Sequence, residues 1–183
     1  DSASNATLEA HTATLGGPHV TIELGSDIVP AGTSLVVASP GLAPSSVLMA
    51  AARDSGAPII SEIEAAYRLS SSPWIAVTGT NGKTTTTSLI AHILAEAGLP
   101  AETVGNIGRA AVRVVGEAGP ATVLVAEVSS FQLAFTDRFH PRVAVLLNIT
   151  PDHIDWHGSL EAYAADKARV FANQASGDTA VID

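Results

Sequence analysis

Trp74-Ile75-Ala76-Val77-Thr78-Gly79-Thr80-Asn81-Gly82-Lys83-Thr84-Thr85-Thr86-Thr87 runs from an apolar segment through a small polar turn into the start of a helix. A short buried strand of this kind delivers the chain to a glycine turn, where backbone N–H groups can point at anionic oxygens and the following helix adds its positive end. Lys83 then places an ammonium where terminal phosphates would lie, and the Thr84 hydroxyl can ligate magnesium. The usual spacing G-x-x-x-x-G-K-[ST] is not met, because the position five before Gly82 is Val77. Gly79, three before Gly82, makes a tighter loop instead. The stretch reads as a phosphate-binding loop at the edge of a parallel sheet.

Outward from it, apolar runs keep ending in polar clusters. Ala101 to Val104 closes on Gly105-Asn106-Ile107-Gly108, Ala121 to Ala126 on Glu127, and Arg142 to Leu147 on Asn148. Helices are expected from Lys83, with Leu89, Ile90, Ile93, Leu94 and Ala97 on the apolar face, and from Ala110 to Val115. A last helix from Ser159 carries Leu160, Tyr163, Ala164, Lys167, Val170 and Phe171, and Thr179 to Ile182 starts a strand. Four strand ends, Gly79 to Thr85, Gly105 to Gly108, Glu127 to Gln132 and Asn148 to Asp155, are thereby expected to converge on one crevice.

Upstream, His19 to Leu24 alternates as a strand should, and Ser34 to Ala38 is a continuous apolar run expected to be covered on both faces. Ser46 to Ser55 reads as a helix with Val47, Leu48, Ala51 and Ala52 as its stripe; Pro58 to Ile60 is a short strand, and Ser61 caps a further helix. Asp1 to Thr14 reads as a modest helix or a frayed end. Ser70 to Pro73 is a linker. The expected architecture is α/β: a partial Rossmann-like domain over residues 1–71, then a P-loop ATPase-type domain over 72–183 with a mostly parallel sheet.

The chain has 183 residues, 9 Lys plus Arg against 18 Asp plus Glu, a net charge of −9 and no cysteine. Acidity argues against a nucleic-acid or anionic-membrane partner, and the lack of cysteine excludes disulfides and thiolate chemistry. No apolar run nears membrane-spanning length, so a cytoplasmic protein is expected.

Several polar residues keep two readings. Glu127 faces whatever the phosphate loop holds and helps bind magnesium, or is a solvated strand end. The hydroxyls of Ser129 and Ser130 donate to a substrate, or cap the helix that Phe131 begins. Thr150 to His157 concentrates two aspartates and two histidines without any structural zinc spacing; His153 is the better ligand candidate and His157 a loop residue. Lys167, four after Tyr163, snorkels to water, or reaches the metal site if its charge is altered.

Together, Thr78 to Thr85, Gly105-Asn106-Ile107-Gly108, Glu127-Val128-Ser129-Ser130-Phe131-Gln132-Leu133 and Asn148 to Asp155 resemble the Mur ligase family. The Ser-Ser-Phe-Gln-Leu and Gly-Asn-Ile-Gly segments resemble its D-glutamate-adding branch; Ser39-Pro40-Gly41 fits that branch's amino-terminal domain. The resemblance implies ATP and Mg2+ as cofactors, and UDP-N-acetylmuramoyl-L-alanine and D-glutamate as substrates joined through an acyl phosphate. It assigns Gly79, Thr80, Asn81, Gly82, Lys83, Thr84 and Thr85 to ATP. Thr84 and Glu127 go to one magnesium, His153 and a carbamylated Lys167 to a second, and Gly41, Asn106 and Ser129 to the muramoyl substrate. Pro151 departs from the acidic residue frequent there. The family has three domains, so the resemblance also implies a truncated chain, inactive alone, and a monomer is expected. Folylpolyglutamate synthetase and the sibling ligases are alternatives within the same chemistry, and a non-catalytic nucleotide-binding module is the alternative outside it.

Overall fold

A computed structural model describes residues 17–183, and the stretch Asp1 to Thr14 lies outside the described residues. The strands are β1 (Val36–Ala38), β2 (Ile59–Ser61), β3 (Trp74–Thr78), β4 (Ala101–Gly105), β5 (Val123–Glu127), β6 (Val143–Leu146) and β7 (Thr179–Ile182). The helices are α1 (Val47–Asp54), α2 (Glu62–Leu69), α3 (Lys83–Glu96), α4 (Ala111–Val114), α5 (Ser130–Leu133), α6 (Ile154–His157) and α7 (Leu160–Ala168). Short β1 and β2 pair with each other, and the remaining strands form one sheet in the order β4-β5-β3-β6-β7. Every pairing is parallel, so within each sheet the carboxyl ends open on one edge.

β3 takes the centre because its residues suit burial on both faces: Trp74, Ala76, Val77 and Thr78 are all buried. From β3 the chain builds β4 and β5 on one side and β6 and β7 on the other, which makes the end of β3 the switch point where open α/β sheets hold ligands. Register places the functional side chains there. Val77 lies opposite Glu127 of β5, and Thr78 opposite Leu146 of β6.

The core lies between this sheet and its helices, with Val104, Leu124, Ala126, Leu133 and Val170 fully buried. At the opposite end from the switch point, Tyr67, Trp74 and Phe139 meet edge-on with ring centroids 5.5 to 6.1 Å apart. Ile63 and Ala66 of α2 belong to the same core, so that helix packs on the larger sheet although its sequence precedes the linker. Ser61 caps α2 as its sequence suggests, its hydroxyl accepting from the Glu64 N–H.

Some expectations fail for identifiable reasons. His19 to Leu24 is not a strand: Pro18 and His19 form a turn closed by the Val20 N–H on the Gly17 carbonyl, and Val20, Ile22 and Leu24 are exposed. The run Ser34 to Ala38 is covered on one face only, since Leu35 and Val37 are exposed and Ala38 is buried. In α1 it is Met49 and Ala52 that turn inward, while Val47 is exposed. In α3 the inward side carries Thr87, with Ile90 and Leu94 half-buried, whereas Leu89 and Ile93 face outward.

Candidate active site

The loop after β3 is held rigidly by the loop after β6. The Thr80 N–H donates to the Asn148 carbonyl, the Asn81 N–H to Asn148 Oδ1, and Asn148 Nδ2 back to the Asn81 carbonyl. The Thr80 hydroxyl accepts from the Thr150 N–H and lies 3.0 Å from the Tyr163 hydroxyl. Thr80 and Asn81 therefore use, in shaping the loop, the backbone groups that a phosphate would otherwise meet. Gly82, at φ 83° and ψ −5°, turns the chain into α3, a left-handed conformation costly to any residue with a Cβ. Thr86 is the first residue of α3 to donate back along the helix, to Gly82, so the N–H groups of Lys83, Thr84 and Thr85 have no intrahelical acceptor. Together with the positive helix end they form an anion-binding mouth.

Lys83 bends back over this mouth and donates to the carbonyls of Gly79 and Thr80 at 3.0 and 2.9 Å. Two of its three protons are thus fixed, leaving one for an anion in the crevice. Beside it the Thr84 hydroxyl donates to Glu127 Oε2 at 2.7 Å, and Asn106 Nδ2 donates to Glu127 Oε1 at 3.0 Å. Glu127 is 2% exposed, which removes the solvated strand-end reading. A Cβ on Gly105 would sit 2.4 Å from the Glu127 carbonyl oxygen, so only glycine lets β4 bring Asn106 this close. Among the described residues no cluster of three or more His, Asp or Glu is arranged to hold a metal by itself. Thr84 and Glu127 nonetheless offer two adjacent hard oxygens, a donor set that suits magnesium, which completes its shell with water and phosphate.

Lys83, Asn106, Ser129, His153 and Lys167 line one cavity of about 120 Å³. Ser130, Phe131, Asp152 and Tyr163 complete it. Lys167 does not snorkel: it is 2% exposed and donates to the Gly79 carbonyl at 2.8 Å, with its ammonium 4.6 Å from the centre of the Tyr163 ring. Burial, and then the charge of Lys83, push its pKa down to about 8 against the opposing pull of Asp152. His153 has φ 50°, the one positive φ of a non-glycine residue among the described residues, and its ring rests against Phe131 at 4.8 Å. Such strain, of order 1 kcal/mol or more, persists where the surroundings over-determine it.

Ser129 caps α5, its hydroxyl accepting from the Gln132 N–H while Gln132 Oε1 accepts from the Ser129 N–H. Gly41 follows β1 in an exposed turn and does not line this cavity. His157 is not merely a loop residue. Its side chain is fully buried between Ser130 and Asp166. Sequence reading missed Tyr163 as a site residue, although its place one helical turn before Lys167 puts both on the same face.

The profile described as the Mur ligase middle domain matches residues 77–183. The chain belongs to the Mur ligase family. Its curated relatives include UDP-N-acetylmuramoylalanine–D-glutamate ligases. That of Pelotomaculum thermopropionicum is 52% identical over 149 residues, 81% of this chain and 33% of the relative. That of Desulfatibacillum aliphaticivorans is 43% identical over 185 aligned residues, covering 100% of this chain and 41% of the relative. The chain thus spans well under half the length of these relatives. Among solved structures it is similar to the UDP-N-acetylmuramate:L-alanyl-gamma-D-glutamyl-meso-diaminopimelate ligase from Neisseria meningitides, with TM-score 0.56, 23% identity, and coverage of 82% of this chain and 52% of that one. It is also similar to the MurF ligase from Thermotoga maritima in complex with ADP, with TM-score 0.52, 20% identity, and coverage of 81% and 42%. At such identities these two establish the shared Mur ligase fold.

Proposed function

We propose that this Mur ligase segment is the ATP-handling part of an enzyme that joins D-glutamate to UDP-N-acetylmuramoyl-L-alanine. The observation that carries the reading is the placement of Lys83, Thr84, Glu127 and Lys167 around one anion-binding loop in a chain up to 52% identical to ligases of that name. The loop N–H groups and Lys83 hold the β- and γ-phosphates of ATP. Thr84 and Glu127 hold Mg2+, which supplies charge neutralisation as one anion approaches another. Lys167, carbamylated by addition of CO2 to its amine with loss of a proton, and His153 hold a second ion nearer the substrate carboxylate. Asn106 and Ser129 face the muramoyl nucleotide, and Gly41 lies towards its uridine end, in the part of the chain before residue 72.

The carboxylate of the L-alanyl end attacks the γ-phosphorus and ADP leaves; the amine of D-glutamate then attacks the acyl carbon, phosphate leaves, and the amine gives up a proton as the amide forms. No side chain acts as nucleophile in either step. Lys83 stabilises the negative charge that builds on the β–γ bridging oxygen as ADP leaves in the first. Steady-state release of ADP by the full-length enzyme is expected to require D-glutamate and the muramoyl nucleotide together, and Lys83→Ala is expected to lower it at least a hundredfold, the scale of one lost charge-stabilising donor. Equal release from the variant would refute the loop assignment, and release with another amino acid in place of D-glutamate would refute the substrate.

A further inference from the structure

Ser130, His157 and Asp166 form a hydrogen-bonded chain across three helices. His157 Nδ1 lies 2.7 Å from Asp166 Oδ2, and its Nε2 lies 3.0 Å from Ser130 Oγ. The imidazole stacks on Phe131 with an interplanar angle of 7° and meets Tyr163 edge-on, so it has no room to rotate. Ser130 is 2% exposed, and what it exposes lies in the cavity that holds Lys83 and Lys167. None of the chemistry assigned above uses this chain of contacts.

Its direction follows from donor and acceptor inventories. A carboxylate only accepts, so Asp166 fixes a proton on His157 Nδ1. With that one proton on the ring, Nε2 presents a lone pair and takes the Ser130 proton. The Ser130 hydroxyl is then left with lone pairs alone for the cavity. We infer that Asp166 and His157 are positioning residues that turn Ser130 into an obligate acceptor, which binds an N–H or O–H group of the muramoyl substrate and not a phosphate oxygen of the nucleotide. The surrounding wall makes the distinction matter: Lys83 and Lys167 present donors suited to anions, whereas Ser130, like the Asp152 carboxylate of the same wall, reads the opposite polarity.

The inference rests on the proposed reaction for the identity of the ligand, but its core is testable without catalysis. Long-range ¹H–¹⁵N correlation spectra of this chain are expected to show His157 protonated on Nδ1, and Asp166→Asn to move the proton to Nε2, because the amide can place its N–H₂ group against Nδ1. A wild-type ring carrying its proton on Nε2 would overturn the inference whatever the enzyme does. In the full-length enzyme, Ser130→Ala is expected to raise the KM for the muramoyl nucleotide about tenfold while the KM for ATP changes less than twofold, the scale of one lost neutral hydrogen bond. Asp166→Asn is expected to give the same split, and Asp166→Glu to restore the wild-type values in part. A rise in the KM for ATP, or no rise for either substrate in a Ser130→Ala enzyme that melts like wild type, would equally overturn it.

Discussion

Lys167 shows how one side chain changes meaning with its surroundings. On a helix diagram it lies on an apolar face and could snorkel, yet the fold seals it under the phosphate loop and ties it to the Gly79 carbonyl. Burial first, and Lys83 second, bring its pKa to about 8, so a far larger share of the amine is neutral near neutrality than in an ordinary lysine. The neutral amine is the form that adds CO2, and the product carries the oxygens that magnesium prefers. ¹³C-bicarbonate is therefore expected to give a carbamate resonance in the wild-type chain that is lost in Lys167→Arg, whose guanidinium stays protonated. A resonance that survives the substitution would place the carbamate elsewhere. His157 is the counterpart that sequence could not give: its partner Asp166 lies nine residues away on another helix, and only packing against Phe131 and Tyr163 fixes the ring between them.

At the scale of elements, α2 is joined to the larger sheet by a buried carboxylate. Glu64 is fully buried and accepts from the N–H groups of Asp137, Arg138 and Phe139 at 2.9 to 3.0 Å and from Arg68 Nε at 2.7 Å. Burial alone would raise its pKa, but the four donors together outweigh it and hold the carboxyl below its ordinary value of 4.5. Because the folded value lies below the unfolded one, Glu64 stabilises fully above pH 4.5 and loses that contribution as pH falls through the lowered value. Glu64→Gln turns an N–H₂ group towards two of these donors and is expected to cost about 2–4 kcal/mol near neutrality, with a flatter acid limb in urea melts between pH 5 and 3. An unchanged midpoint would show that the contacts contribute nothing. The central strands β3, β5 and β6 were legible because each is a short apolar run closed by a polar cluster, and parallel pairing then brings those clusters to one edge. Glu64 was legible only as an acidic residue in a first helical turn. Its four partners come from α2 itself and from a segment more than 70 residues away. The outward turn of Leu89 and Ile93 was hidden because Leu89, Ile90, Ile93 and Leu94 form one broad stripe, and periodicity could not tell that its Ile90 and Leu94 edge, beside Thr87, is the inward one.

For the whole molecule, the same contacts decide how nucleotide binding is felt. Ile63, Ala66 and Glu64 precede the linker but pack with Trp74, Leu133 and Phe139, so α2 and the larger sheet share one core. A ligand held by the loop after β3 should then stabilise both together and not the loop alone. At a hundred times its dissociation constant, Mg-ATP contributes about 2.7 kcal/mol to whatever unfolds as one unit. For a domain of this size each kcal/mol moves the melting midpoint about 2–4 °C, so a rise of roughly 5–10 °C is expected. Far-UV circular dichroism follows all the helices, and the fluorescence of Trp74 follows the shared core, where its ring is 1% exposed. Both are expected to shift by the same amount in a Trp156→Phe background that leaves Trp74 as the sole reporter, and Lys83→Ala should abolish the shift in each. A nucleotide-dependent rise seen by fluorescence but not by dichroism would mean that α1 and α2 melt independently of the sheet, and that the core around Ile63 does not couple them.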